Sequence, residues 1–287
     1  AKQSIYNLIQ ALVNPGDEVI IPAPYWVSYP DMVLLGEGTP VILPTTIEAH
    51  FKITAEQLEA AITPKTRLLI LNSPSNPTGV SYSAKELKAL TEVLLRHPDV
   101  WIATDDIYEH IRWSSEPFAN VLTVEPSLKP RTVIIHGVSK TYAMTGWRIG
   151  YAAGPADLIE VMTNIQSQST SNPCSISQAA AEAALLGDQR TVSNMVDAFK
   201  LRHDYIVEAL NQIPGVSCLP ADGTFYVFPN FQPVIDKMEN FQDDVDFAEY
   251  LIQQAKVALV PGSAFGAPGH LRLSFATSMP NLEPSIA

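Results

Sequence analysis

Apolar residues along this chain alternate between two periods. Residues 1–13 put Ile5, Leu8, Ile9 and Leu12 on one helical face, and Asn14-Pro15-Gly16-Asp17 stops the pattern. Glu18–Pro22 then reads as a short buried strand. Met32–Gly36 continues as helix, and Thr39–Pro44 as strand. Thr54–Ile62 is a predicted helix in which Thr54 and Gln57 form a capping box. Arg67–Leu71 is a buried strand, Ser83–Arg96 a helix, Trp101–Thr104 a strand and Thr132–Val138 another. A further apolar run from Trp147 to Ala153 reads as a second buried strand, which puts Lys140 in a turn between two strands. Short strands alternating with helices predict an α/β fold with a mainly parallel sheet flanked by helices.

The texture changes after Ser175. Ser177–Leu186 and the longer Gln189–Leu210 read as helices, followed by strand-like Val216–Leu219 and Thr224–Phe228. Asp244–Gln254 is a helix, with strands at Val257–Val260 and His270–Phe275. This is the pattern of a smaller α+β unit, so the chain divides into residues 1–187, a large ligand-binding domain, and residues 188–287, a small C-terminal domain that begins in a long helix. The opening AKQSIYNLIQAL is already helical and lacks a cap, so the large domain is expected to be incomplete at its N-terminal end.

Composition narrows the function classes. A chain of 287 residues with 46% hydrophobic and 17% charged residues can bury a sizeable core. A net charge of −12 argues against a nucleic-acid partner. No apolar run has the length of a membrane span. The two cysteines, Cys174 and Cys218, make neither a disulfide framework nor a zinc site, and no signal peptide is visible. These features point to a cytoplasmic protein with no metal.

Chemistry gathers at four strand ends: Trp26, Asn76, Asp105 with Tyr108, and Lys140. In open parallel sheets, ligands bind beyond the carboxyl ends of the strands. A partly buried lysine offers a neutral amine, and arginine eight residues on, Arg148, offers a fork for phosphate or carboxylate. An amine and a phosphate clamp together fit pyridoxal 5'-phosphate (PLP). Each residue also has a plainer reading. Lys140 could snorkel, Asp105 could cap a helix, Asn76 could fill the turn NSPSNPTG, and Trp26 could be core. Arg272, alternating with apolar residues in HLRLSF, fits either a carboxylate ligand or a structural ion pair. Rival chemistries lack their motifs: GxSxG, HExxH, GxGxxG and GxxxxGK[ST] are all absent. A Ser139–Lys140 hydrolase is disfavoured because neighbours on a strand face opposite ways.

Taken together, PGDEVIIPAPYWVSYP, SPSNPTG, TDDIYEH, SKTYAMTGWRIGY and RLSFATS resemble the class I/II aminotransferases of PLP fold type I, most closely their bacterial aspartate aminotransferase branch. The likeness covers essentially the whole chain. It implies PLP as cofactor. Lys140 would form the Schiff base and shuttle a proton between the substrate Cα and the cofactor. Asp105 would pair with the ring nitrogen, and Tyr108 and Asn76 with the phenolic oxygen. Trp26 would stack on the ring, with Trp26 and Asn76 also facing the substrate. Arg148 would bind the phosphate, together with backbone amides of Ala1 and Lys2 and assistance from Ser139. Arg272 would grip the substrate α-carboxylate. Gly137 stands where some relatives carry a phosphate-contacting serine, which reroutes that contact.

The resemblance further implies a homodimer with shared active sites, ping-pong exchange between an amino acid and a 2-oxo acid, and aspartate with 2-oxoglutarate as the default pair. The N-terminal segment of the family is missing from this span, so the span alone is expected to be impaired. Alternatives on the same scaffold are an aromatic or prephenate aminotransferase, a PLP lyase, and a PLP-binding regulatory domain.

Overall fold

The computed structural model describes residues 1–238 and 241–286. Its main sheet has six strands: β1 (Glu18–Pro22), β2 (Thr39–Leu43), β3 (Thr66–Asn72), β4 (Trp101–Asp105), β5 (Thr132–Gly137) and β6 (Gly150–Ala153). Their order is β2-β1-β3-β4-β5-β6, parallel throughout except for β6, which runs antiparallel to β5. The apolar runs become central strands because both faces are covered. Val19, Ile20, Leu68, Leu69, Ile102 and Val133 are all fully buried. On one face Ile5, Leu8 and Ile9 of the helix Lys2–Leu12 pack with Leu158 and Met162 of the helix Ala156–Ser167. On the other face lie Leu58 of Ala55–Ala61 and Leu87, Leu90 and Leu94 of Ala84–Arg96. Both of the latter helices start in complete capping boxes, Thr54 with Gln57 and Ser83 with Glu86.

A second sheet of three short antiparallel strands, β7 (Tyr226–Val227), β8 (Val260–Pro261) and β9 (Leu271–Ser274), has the order β7-β9-β8. Its residues join Phe199, Ile206 and Leu210 of the long helix Arg190–Asn211 in one cluster. That cluster also holds Tyr108 and Ile111, which follow β4. The C-terminal layer therefore packs directly on the carboxyl end of the main sheet.

Several predicted elements change shape. The run Trp147–Ala153 is not one strand: Thr145–Trp147 is a 3-10 turn, Arg148 is left-handed (φ 59°, ψ 42°), and β6 begins only at Gly150. Lys140 lies not in an open turn but in the short helix Val138–Thr141. Ser139 therefore shares a helical turn with Lys140, so the opposite-faces argument against a Ser–Lys pair does not apply. The segment 216–219 forms no strand. It makes one bridge, Ser217 with Asn230, and is held by burial of Val216 and Cys218. The helix expected from Met32 begins four residues earlier, at Ser28. Both cysteines are free, and among the described residues no helix is long and apolar enough to cross a membrane.

Candidate active site

The loops after β1, β3, β4 and β5 converge on a cavity of about 530 Å³, within the usual range for a small-molecule site. β1 is flanked by β2 on one side and β3 on the other, so the chain crosses in opposite directions from it. The cavity opens beside this reversal. All ten residues singled out in the sequence line it: Ala1, Lys2, Trp26, Asn76, Asp105, Tyr108, Ser139, Lys140, Arg148 and Arg272.

Asp105 closes β4 and is almost fully buried. Its Oδ2 accepts a hydrogen bond from the Tyr29 hydroxyl at 2.7 Å, while Oδ1 is buried without a partner. Burial pushes its carboxyl above the usual range, against the opposing pull of the Tyr29 hydrogen bond and, more weakly, of the Ile107 backbone amide. Asn72 fixes the backbone at this point by donating to the Asp105 carbonyl at 2.8 Å. No helix begins directly after Asp105, so an N-cap role does not account for its side chain.

Tyr108 is buried edge-on to Phe225 and Tyr226, and burial raises its phenol well above the ordinary value. Asn76 sits in a turn closed by Gly79, whose positive φ of 73° favours glycine. The Asn76 carbonyl oxygen accepts from Arg272 at 3.0 Å, which leaves its amide nitrogen free to donate. Arg272 comes from β9, the centre of the small sheet. Its guanidinium lies 4.4 Å from the Tyr226 ring and 5.0 Å from that of Phe265, and its Nε is buried and unpartnered. Among the described residues no carboxylate pairs with it, so a structural ion pair does not explain it.

Lys140 likewise has no carboxylate partner among the described residues. Its ammonium faces the rings of Phe225 (5.4 Å) and Tyr108 (5.9 Å). Burial, and then the positive charges of Arg272 and Arg148, lower its pKa and favour the neutral amine. Arg148 is exposed and held by a bond from its guanidinium to the Thr145 carbonyl at 2.8 Å. Beside it the helix Lys2–Leu12 begins with no side-chain cap. A Cβ on Gly150 would fall 1.6 Å from the Ala1 nitrogen, so only glycine lets this helix start rest against β6. The Lys2 ammonium reaches Ser28 Oγ at 3.2 Å and lies 4.8 Å from the Trp26 ring. The site thus gathers a depressed amine, a buried acceptor, an unpaired guanidinium and a helix N-terminus, a set suited to an anionic ligand carrying a carbonyl.

The model of the family described as aminotransferase class I and II matches residues 1–286. The chain belongs to the class I and II aminotransferases. It is 56% identical to an aspartate/prephenate aminotransferase of Nitrosomonas europaea over 290 residues, covering 99% of this chain and 73% of that one. It is 52% identical to an aspartate aminotransferase of Geobacillus stearothermophilus, covering 100% and 72%. The crystal structure of the Rhizobium meliloti aspartate aminotransferase superposes with a TM-score of 0.95 at 49% identity, over 99% of this chain and 72% of that one.

Three parts of this aminotransferase's cavity escape sequence reasoning: Tyr29, Tyr226 and the segment Thr170–Pro173. Tyr29 reads as core in an apolar stretch, and Tyr226 as one aromatic among several in TFYVF. The strand-end rule has no purchase on Thr170–Pro173, which follows a helix. A His/Glu group also lies close by: Glu109, His110 and His136 have donor atoms within 4.8 Å of one another. The Gly137 amide donates to His136 Nδ1 at 2.8 Å, which leaves the ring proton of the neutral imidazole on Nε2, facing the Glu109 carboxylate 3.4 Å away. That interaction holds the Glu109 carboxyl below its usual range.

Proposed function

We propose that this aminotransferase binds PLP in the cavity and exchanges an amino group between aspartate and 2-oxoglutarate. The reading is carried by Lys140, a half-buried amine with no carboxylate partner among the described residues, opening onto the same cavity as the free Oδ1 of Asp105. When bound, PLP supplies an aldehyde for the amine and a ring that takes up an electron pair. The chain's own residues do the rest. Asp105 Oδ1 accepts the ring N–H. The Tyr108 hydroxyl and the Asn76 amide donate to the phenolic oxygen. Arg148 and the amides at the start of the helix Lys2–Leu12 hold the phosphate, with Ser139 beside it, and Trp26 walls the ring.

Arg272 takes the substrate α-carboxylate as a fork, oriented by the bond to Asn76. The Lys140 amine, once released, moves the proton at the substrate Cα. Lys2, at the same cavity, is the candidate partner for a second, side-chain carboxylate. Relatives named aspartate/prephenate aminotransferase support prephenate as a further oxo-acid substrate. Exchange in two half-reactions gives ping-pong kinetics. We also read the chain as a large domain (1–187) and a small one (188–287), acting as a cytoplasmic homodimer.

The test is the absorbance spectrum with PLP, then borohydride reduction and peptide mapping. The expected result is a visible band, label on Lys140, and a spectral change when aspartate is added. Label on another lysine, or a band that does not respond to aspartate, would overturn the reading.

A further inference from the structure

Tyr29 is two per cent exposed and projects from the helix Ser28–Leu35 into the base of the cavity. Its amide bonds to the Trp26 carbonyl at 3.0 Å, so one turn of backbone sets both aromatics, and their rings meet edge-on at 5.4 Å. Met32 and Val33, from the same helix, pack around it in the core. The ring is therefore rigid, and the hydroxyl has one hydrogen-bond partner, Asp105 Oδ2 at 2.7 Å. A buried carboxylate with a single free oxygen can rotate about its Cβ–Cγ bond, or take up a proton, unless something holds it. Here the donor comes from β1's side of the sheet, 76 residues away in sequence.

We propose that Tyr29 is a positioning residue for Asp105: its hydroxyl pins Oδ2, so that Oδ1 is presented to the ring nitrogen of the cofactor. This rests on the PLP reading given above. The geometry divides the carboxylate into a held oxygen and a working one. The Tyr29 hydroxyl is spent on Asp105 and hydrogen-bonds no other group among the described residues. Its effect passes through Asp105 alone.

That separation gives the test. PLP dissociation constants are measured by titrating the apo-protein of the wild type, Tyr29→Phe, Asp105→Asn and the double variant. Tyr29→Phe removes one oxygen and keeps the packed ring, and urea unfolding of each apo-protein checks that the fold is retained. The expected result is about 10-fold weaker PLP binding in Tyr29→Phe, the scale of losing a hydrogen bond to a charged group, and a larger loss in Asp105→Asn. Adding Tyr29→Phe to Asp105→Asn should change binding less than about two-fold, since coupled residues are not additive. The KM for aspartate should stay within about two-fold in Tyr29→Phe while kcat falls. Unchanged PLP affinity in Tyr29→Phe, or a full additional loss in the double variant, would overturn the positioning role. Unchanged affinity in Asp105→Asn would overturn the assignment of Asp105 itself, and this inference with it.

Discussion

A lysine amine in water titrates near 10.4. Lys140 departs from that downward, first because it is buried and then because Arg272 and Arg148 are positive neighbours. The sign is testable without cofactor. Acylation of Lys140, followed by mass spectrometry across pH, should show a midpoint below the ordinary lysine value. Arg272→Leu should move that midpoint back up by removing one of the two cations. A midpoint unmoved by the substitution would mean that Arg272 does not contribute to it. At this scale the sequence speaks clearly where a residue type is costly to bury. Lys140, Asp105 and Arg272 are charged, sit beside apolar runs, and need a reason to be there. Tyr29 gives no such sign, because a tyrosine in a helix pattern is good core, and the partner that makes its hydroxyl matter lies at the end of β4, far along the chain.

Elements were legible in proportion to their burial. β1, β3, β4 and β5 are covered on both faces and stand out as apolar runs. The small C-terminal strands β7 and β8 are two residues each, too short for a period to register, and the sequence overextends them. The break before β6 is set by a left-handed arginine, a conformation that the residue type does not advertise. Gly150 shows what that break protects. Gly150→Ala places a Cβ against the start of the helix Lys2–Leu12, and nothing can move there except backbone. The expected cost is about 1–3 kcal/mol in urea unfolding, with weaker binding of inorganic phosphate or PLP at the displaced helix start. Unchanged stability and unchanged binding would show that the helix start is free to shift.

The fold as a whole carries a pH dependence from Asp106, which is buried next to Asp105 at the junction of β4 and β5. Its carboxylate accepts from Thr104 and from Asn120 (2.7 Å), yet burial raises its pKa from 3.8 to about 7. The folded state therefore holds this proton more tightly than the unfolded chain does. Its stabilising contribution is full below pH ~4 and drains away as pH rises toward 7. Between pH 5 and pH 8 the linked loss is at most ~3 kcal/mol, at ~1.4 kcal/mol per pH unit. Urea unfolding of wild type and Asp106→Asn at those two pH values should show the wild type losing ground to the variant at pH 8. A difference that does not vary with pH would mean that Asp106 is ionised in both states. None of this is visible in the dipeptide Asp105-Asp106, because burial depends on how β4, β5 and Asn120 meet.

The cavity's lining has an order in time as well as in space. Apart from Tyr226 and Arg272, every lining residue lies at or before Pro173. During synthesis the amine and its surrounding wall leave the ribosome well before the Arg272 guanidinium. A nascent chain stalled before residue 226 has made Lys140 and Arg148 but neither Tyr226 nor Arg272, the larger in effect of the two cations that depress the lysine pKa. Synthesis of the segment from β7 to β9 thus closes the cavity and adds to the tuning of the lysine.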